Sequence, residues 1–254
     1  MQSWQIALEK FLDKYKKEDY FLGAILTGSY ATGNYDENSD IDVYIISSDE
    51  VKWRERGNKN VDGFLIEYFI NPKWKILDYM NNELKTYHLS TTMIFVNAHI
   101  LYDKDGAVAE LVRHAKENAT LTSLAPVDNF KYKTKCYSVW DAFDELEAKY
   151  RKNSDIEFSY YIFLQKVIDA YFYNRQIPSI PLNKIERIFC DDEYRLKYNV
   201  KKMPDDEFVD MIKNCFEEKK YDDRFRCAKS LYEYFLHQFS DFDINNLEIR
   251  SIAE

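Results

Sequence analysis

The distribution of glycine divides this 254-residue chain into two parts of different character. All six glycines lie at or before Gly106, and the residues that follow contain none. A long segment without glycine lacks the residue that tight hairpin turns most often need. Four segments of the second part have helical apolar spacing; they are 128–152, 155–176, 181–196 and 205–240. We therefore predict a helical bundle there, after a first part of mixed structure.

Short apolar runs bounded by polar turns predict strands in the first part. The predicted strands are 21–26, 41–46, 64–70 and 98–102. Helical spacing predicts an N-terminal helix from Trp4 to Tyr15 and another with Val108, Leu111, Val112 and Ala115 on one face. Asn71-Pro72 predicts the start of a third helix, with Asn as the cap. The predicted fold class is α+β, a mixed β-sheet with flanking helices in residues 1–122 followed by an all-α domain in residues 123–254.

Three carboxylates in and beside these strands form the most informative pattern. Asp40 and Asp42 flank Ile41 at the start of the second strand, so their side chains point the same way. Glu67 lies among apolar neighbours in the third strand, where an unpaired charge is costly. If these two strands pair, the carboxylates converge and repel one another unless a cation lies between them. Hard oxygen ligands on a rigid sheet are what Mg²⁺ requires when it also holds substrate phosphates.

Gly28-Ser29, which ten residues separate from Asp40, supplies the complementary feature. Glycine lets backbone approach a phosphate closely, and exposed N–H groups with a serine hydroxyl can bind its oxygens. A metal site together with an anion cradle indicates a nucleoside triphosphate rather than a metal alone.

The stretch GSYATGNYDENSDIDVYI, residues 28–45, resembles the signature of the polymerase-β-type nucleotidyltransferase superfamily. The SDID sequence and the helical second half resemble the aminoglycoside and lincosamide nucleotidyltransferases, which modify antibiotics. The resemblance implies that Asp40, Asp42 and Glu67 are catalytic and bind Mg²⁺, with Glu67 as ligand or general base. It also implies that Gly28, Ser29 and Ser39 bind the nucleotide. Many small members have Arg shortly after Gly-Ser, whereas this chain has Tyr30-Ala31-Thr32.

The function implied is transfer of a nucleoside monophosphate, AMP from ATP, to a hydroxyl of a small molecule, with release of pyrophosphate. An aminoglycoside-like acceptor fits an acidic protein. One alternative is an antitoxin-like enzyme that adenylylates another protein. Another is a protein that keeps the fold and binds nucleotide without catalysis. The sequence leaves open the acceptor, the base preference among ATP, GTP, CTP and UTP, the oligomeric state, and whether the helical half supplies a catalytic group.

The net charge limits the classes of partner that the protein can bind, and the cysteines indicate its cellular compartment. With 35 Lys and Arg against 44 Asp and Glu, the net charge is −9, which argues against binding a nucleic acid polymer. No stretch is apolar enough for a signal peptide or a membrane span, so we expect no membrane partner. Four cysteines without a CxxC pair are typical of the reducing cytoplasm, where we expect the protein to act.

Other candidates have weaker patterns, and ordinary structural roles are favoured for them. The four histidines lack metal-ligand spacing, and Lys135 and Lys166 are candidate phosphate contacts that solvated positions explain as well. Asp62 competes with Glu67 as the third carboxylate. Asp141, Asp144, Glu145 and Glu147 could attract a cationic acceptor or form a solvated helix face.

Overall fold

The computed structural model describes residues 2–120 and 126–250. Within these residues, every helix is too short or too polar to cross a lipid bilayer. The chain folds into two compact units, residues 1–124 with 197–199, and residues 125–196 with 200–254. The predicted boundary between residues 122 and 123 lies outside the described residues and stays a prediction.

One mixed sheet forms the centre of the first unit. Its five strands are β1 (Phe21–Thr27), β2 (Ile41–Ser47), β3 (Glu55–Val61), β4 (Phe64–Pro72) and β5 (His99–Asp103). Their spatial order is β3-β4-β2-β1-β5. Strand β2 pairs antiparallel with β1 and parallel with β4, so it is central and has a neighbour on each side.

Helices cover both faces of this sheet. They are α1 (Ser3–Leu12), α2 (Gly28–Thr32), α3 (Lys73–Thr86), α4 (Ser90–Val96) and α5 (Ala107–Thr120). Helix α1 shares one core cluster with Ala24, Val43 and Ile66. Helices α3, α4 and α5 share the other with Ile25 and Ile46. Successive strand residues point to opposite faces, so each central strand contributes to both cores.

The sequence predicts most of these elements. The strands predicted at 21–26, 41–46, 64–70 and 98–102 are β1, β2, β4 and β5. The predicted apolar face of α5 is buried, with Val108, Leu111 and Ala115 fully inaccessible to solvent. The predicted α+β class, a mixed sheet with flanking helices and a helical second part, is confirmed.

Strand β3 has no counterpart in the sequence prediction. Five of its seven residues are exposed, and it pairs only with β4 among the described strands, so no apolar alternation marks it. A two-residue turn, Asp62-Gly63, joins it to β4, and Val61 pairs with Phe64 across that turn. Both turn residues have positive φ, 51° and 91°, as a type I′ hairpin requires.

The start of the helix after β4 corrects a detail of the prediction. Asn71 and Pro72 are the last residues of β4, and α3 begins at Lys73 with Pro72 as its N-cap. Asn71 therefore does not cap the helix with its side chain. Its amide instead donates a hydrogen bond of 2.8 Å to the Tyr44 hydroxyl, and both residues are buried.

The second unit is helical throughout its described secondary structure. Its α-helices are α6 (Asn129–Arg151), α7 (Glu157–Asn174), α8 (Leu182–Cys190), α9 (Asp192–Lys197), α10 (Asp206–Glu217) and α11 (Tyr221–Gln238). The two segments predicted as continuous helices, 181–196 and 205–240, are each interrupted. In the second, the Glu218 carboxylate accepts hydrogen bonds from the amides of Lys219 and Lys220 at 2.8 and 2.9 Å. The side chain thus satisfies amides that would otherwise continue the helical ladder.

Candidate active site

Two neighbouring strands bring three carboxylates together at one end of the sheet. Asp42 lies on β2, Asp40 directly precedes that strand, and Glu67 lies on β4. Asp42 is the register partner of Glu67 in the parallel pair. The three residues each offer an oxygen, and these oxygens lie within 4.8 Å of one another. The side chains are only partly buried, so the group is open to solvent on at least one side.

The strand sequence explains this convergence. Ile41, Val43 and Ile66 are fully buried, which fixes one face of β2 and β4 against the core. Alternation then places Asp40, Asp42 and Glu67 together on the opposite face. Adjacent strands lie about 4.8 Å apart, so register partners on one face are close neighbours. Three acidic groups at this spacing repel one another, and a cation relieves that cost.

Gly28 lies directly against this group. Its predecessor Thr27 is the register partner of Asp42, so Gly28 follows at the end of β1 beside the carboxylate. A Cβ at position 28 would lie 1.8 Å from Asp42 Oδ2, and the residue has a φ of +66°. Only glycine meets both conditions without strain. The close approach of backbone to carboxylate is therefore built into the sequence.

The Gly28-Ser29 pair opens a short helix, where the sequence predicts a turn. Helix α2 runs from Gly28 to Thr32, and the Thr32 hydroxyl lies 3.2 Å from the Gly28 carbonyl oxygen, to which it donates. Ser29 is partly buried, and its carbonyl oxygen accepts a hydrogen bond of 2.9 Å from the Asn34 amide. These bonds hold the segment after Gly28 in a defined conformation.

Tyr30, which directly follows Gly28-Ser29, has an aromatic environment. It is 8% exposed, and its ring stacks on that of Tyr35 with centroids 4.3 Å apart. Trp4 of α1 packs against it at 5.1 Å. Burial, followed by the nearby Tyr35, Asp36 and Asp40, raises the pKa of the Tyr30 hydroxyl. This side chain is therefore a neutral packing group.

Ser39 has local partners for its hydroxyl. The Asp36 amide donates to Ser39 Oγ at 2.9 Å, and that hydroxyl donates to Asp36 Oδ1 at 3.2 Å. These bonds close the loop that leads into Asp40. The predicted role of Ser39 in nucleotide binding stays a prediction.

Arg56 is a charged residue of this site that sequence reasoning missed. Its Nε and Nη2 atoms both donate to Glu67 Oε1, at 3.1 and 2.5 Å. Asn58 is the register partner of Glu67, so Arg56 reaches the carboxylate along a diagonal of the β3–β4 pair. The signal that could have found it is the Asp62-Gly63 dipeptide before Phe64, which is typical of a two-residue hairpin.

Other candidates from the sequence have separate partners. Asp62, the competitor of Glu67, forms an ion pair with Lys10 at 2.5 Å. Lys135 is bound to Asp169 at 2.5 Å. On α6, Glu147 pairs with Arg151 one turn later, at 2.8 Å. Among the residues that the structure describes, Asp40, Asp42 and Glu67 are the one group of His, Cys, Asp or Glu that could hold a metal ion together.

Comparisons with known proteins give one family match, and it covers the segment that contains this site. Residues 8–97 match the model of the nucleotidyltransferase domain family, and that range contains β1 to β4 with all three carboxylates. No curated protein has significant sequence similarity to the chain. A crystal structure of a nucleotidyltransferase-like protein from Exiguobacterium sibiricum 255-15 superimposes with a TM-score of 0.47 and 9% sequence identity, over 93% of this chain and 75% of that one. A similarity this low carries no argument about activity or substrate.

The family match covers the segment whose residues carry the sequence resemblance. Its range begins in α1, spans the Gly28-Ser29 pair and the acidic strands, and ends after α4. Residues 8–97 of this chain are therefore a nucleotidyltransferase domain, in agreement with the resemblance of residues 28–45 to the polymerase-β-type superfamily.

Proposed function

We propose that this enzyme transfers AMP from ATP to a hydroxyl group of a small molecule and releases pyrophosphate. The observation that carries the proposal is the group of three carboxylate oxygens within 4.8 Å of one another, against which Gly28 is packed. In the reaction, the acceptor oxygen forms a bond to the α-phosphorus and the bond to the bridging oxygen of the leaving group breaks. The acceptor proton leaves to a base or to water.

The donor set fits a divalent cation such as Mg²⁺, which takes oxygen ligands and retains waters and phosphate oxygens. Asp40, Asp42 and Glu67 would hold it through carboxylate oxygens that the sheet places close together. A bound Mg²⁺ would neutralise charge on the triphosphate and polarise the reacting phosphate. Glu67 also has the chemistry of a general base for the acceptor hydroxyl.

Gly28 and Ser29 are proposed to contact the triphosphate. The absence of a side chain at Gly28 is what lets backbone reach the carboxylates, and a phosphate bridging to the same cation would lie near it. Ser39 is proposed to act with them, provided that its hydroxyl exchanges Asp36 for a phosphate oxygen.

The acceptor is proposed to be a cationic hydroxylated molecule of the aminoglycoside kind. A net charge of −9 favours cationic over anionic partners and disfavours nucleic acid polymers. The resemblance of the SDID stretch to antibiotic-modifying enzymes points the same way. We place the reaction in the cytoplasm, because the four cysteines are free thiols, as a reducing compartment maintains them.

A pyrophosphate-release screen tests this function. Wild-type enzyme is incubated with Mg²⁺, each of the four NTPs, and a panel of aminoglycosides, lincosamides and neutral sugars. We expect release with ATP and an aminoglycoside, and a loss of at least about 100-fold for Asp42→Asn, because that change removes a charged ligand. Asp19→Asn is the matched control, since it removes one exposed carboxylate that lies outside the acidic group.

Three outcomes would contradict the proposal. Equal pyrophosphate release by Asp42→Asn and wild type would show that the acidic group is not the reaction centre. Labelled protein bands from a lysate treated with labelled ATP, without labelled small molecules, would favour the protein-modifying alternative. Tight ATP binding with no turnover on any acceptor would favour a non-catalytic binder.

A further inference from the structure

The guanidinium of Arg56 is hydrogen-bonded to Glu67, one of the three carboxylates of the acidic group. Both of its hydrogen bonds end on Oε1 of Glu67, so the guanidinium engages one of the two carboxylate oxygens. Its side chain is 70% exposed, whereas that of Glu67 is 19% exposed. A positive group therefore lies at the solvent side of the site, where a charged substrate would arrive.

The contact with Glu67 is of a kind that exchanges readily. Solvent screens the exposed guanidinium, so this ion pair contributes less net stability than a fully buried one would. Arg56 has further support that does not depend on Glu67. Its guanidinium lies 4.9 Å from the centroid of the Phe69 ring, and its backbone is paired in the β3–β4 hairpin opposite that residue. The side chain can leave the carboxylate and remain beside the site.

A cation of this sort would favour the binding of a triphosphate beside the three carboxylates. Three carboxylates and a triphosphate are both strongly negative, and a divalent ion offsets only part of that charge. Arginine presents a planar fork of donors that matches phosphate oxygens, and its bonds to phosphate are stronger than those to neutral groups. If a cation took up Glu67, the fork of Arg56 would be free to bind phosphate oxygens beside the acidic group.

We propose that Arg56 is a triphosphate-binding residue, which holds Glu67 in the nucleotide-free enzyme and exchanges it for phosphate oxygens when the nucleotide binds. This inference rests on the proposed function, because it assumes that a nucleoside triphosphate binds at the acidic group. Arg56, on the edge strand β3, would contact the β- and γ-phosphates, which form the leaving group.

The test compares Arg56→Gln, Arg56→Lys and Arg54→Gln in the full-length protein. Arg54 lies two residues earlier on the same exposed segment and donates to the Tyr79 hydroxyl, so Arg54→Gln removes the same charge without touching Glu67. Calorimetry measures the binding of ATP, tripolyphosphate and AMP in the presence of Mg²⁺, and that of Mn²⁺ alone. None of these measurements needs an acceptor or turnover.

Arg56→Gln is expected to weaken the binding of ATP and tripolyphosphate by about tenfold to hundredfold, the range of one charge-assisted hydrogen-bond group. AMP binding should change by less than about threefold, since AMP lacks the β- and γ-phosphates. Mn²⁺ alone should bind at least as tightly as to wild type, because Glu67 has lost a competing cation. Arg56→Lys should recover part of the ATP affinity, and Arg54→Gln should resemble wild type.

Two results would overturn the inference while leaving the proposed function intact. One is ATP affinity in Arg56→Gln equal to that in Arg54→Gln. The other is an equal loss for ATP and AMP together with weaker Mn²⁺ binding, which would mean that Arg56 only holds Glu67 in position. Failure of wild type to bind ATP with Mg²⁺ would instead refute the proposed function, and this inference with it.

Discussion

The contact between Gly28 and Asp42 gives a prediction with a matched control at the other end of helix α2, Gly33. In Gly28→Ala the new Cβ would lie 1.8 Å from Asp42 Oδ2, whereas real Cβ atoms essentially never come closer than 3.0 Å. Asp42 or the backbone must therefore move by about 1.2 Å, the difference between those two distances. A displacement of about 1 Å in a reacting group can cost about 100-fold in rate.

The control Gly33→Ala separates the effect of the overlap with Asp42 from the strain of placing an L-residue at a positive φ. Gly33 also has a positive φ, +72°, but a Cβ there has nothing within 4 Å. Both variants should lose about 1–2 kcal/mol of stability, since an L-residue is disfavoured in the left-handed region, and Gly28→Ala should lose more because its Cβ overlaps Asp42. Only Gly28→Ala should also lose Mn²⁺ affinity and about 100-fold in pyrophosphate release. Urea denaturation and calorimetry measure the two effects separately. If Gly28→Ala bound Mn²⁺ as Gly33→Ala does, Asp42 would not be held where the structure places it.

Two further predictions concern the second unit. Asp205 accepts hydrogen bonds from the Phe208 amide at 3.0 Å and from the hydroxyls of Tyr171 and Tyr234. Burial alone would raise the pKa of Asp205, but these hydrogen bonds outweigh burial and lower it. Asp205→Ala should therefore lower the free energy of unfolding by about 1–3 kcal/mol at pH 7. In urea denaturation, the difference from wild type should shrink as the pH falls below about 4, because the carboxylate of the unfolded chain is protonated there. A difference that grew at pH 3 would contradict this. Burial raises the pKa of Cys136 to about 11 and that of Cys215 to about 12. Iodoacetamide at pH 8 should therefore alkylate the exposed Cys190 before these two buried thiols. Peptide mass spectrometry measures the rates, and modification of either buried thiol as fast as Cys190 would refute this.

Local sequence patterns predict the part of the fold in which one face of each element is buried. Strands β1, β2 and β4 have apolar runs because their residues meet a core on both faces. The apolar face of α5 follows the helical period for the same reason. Glu67 is recognisable in the sequence because a carboxylate inside such a run breaks the apolar pattern, and Asp40 and Asp42 because they flank Ile41 and so share a face.

Arg56 and its strand β3 are not predictable from apolar spacing, because most of β3 is exposed to solvent. Strand β3 faces solvent along most of its length, so its sequence shows neither alternation nor an apolar run. The approach of Arg56 to Glu67 depends on the register of the hairpin and on a diagonal across it, which apolar spacing does not encode. The breaks within the second-unit helices have a related cause. Glu218 interrupts a helical pattern through hydrogen bonds to Lys219 and Lys220, and apolar periodicity does not register such bonds.

The position of the acidic group follows from how one face of the sheet is divided. Along β2, Asp40 and Asp42 share a face with Tyr44 and Ile46, which are buried beneath α3, α4 and α5. The acidic residues remain partly exposed, so this helical layer covers the apolar end of the face and stops short of the acidic end.

A single strand thus contributes both to the core and to the site, and the same alternation sets both. A slip of one residue between β2 and β4 would turn Glu67 to the opposite face and would expose Ile66, which is fully buried. Loss of that burial would cost about 1.5–3 kcal/mol for Ile66 alone, and the slip would move the other buried residues of β4 away from their core contacts as well. The apolar residues therefore hold the register on which the convergence of the three carboxylates depends.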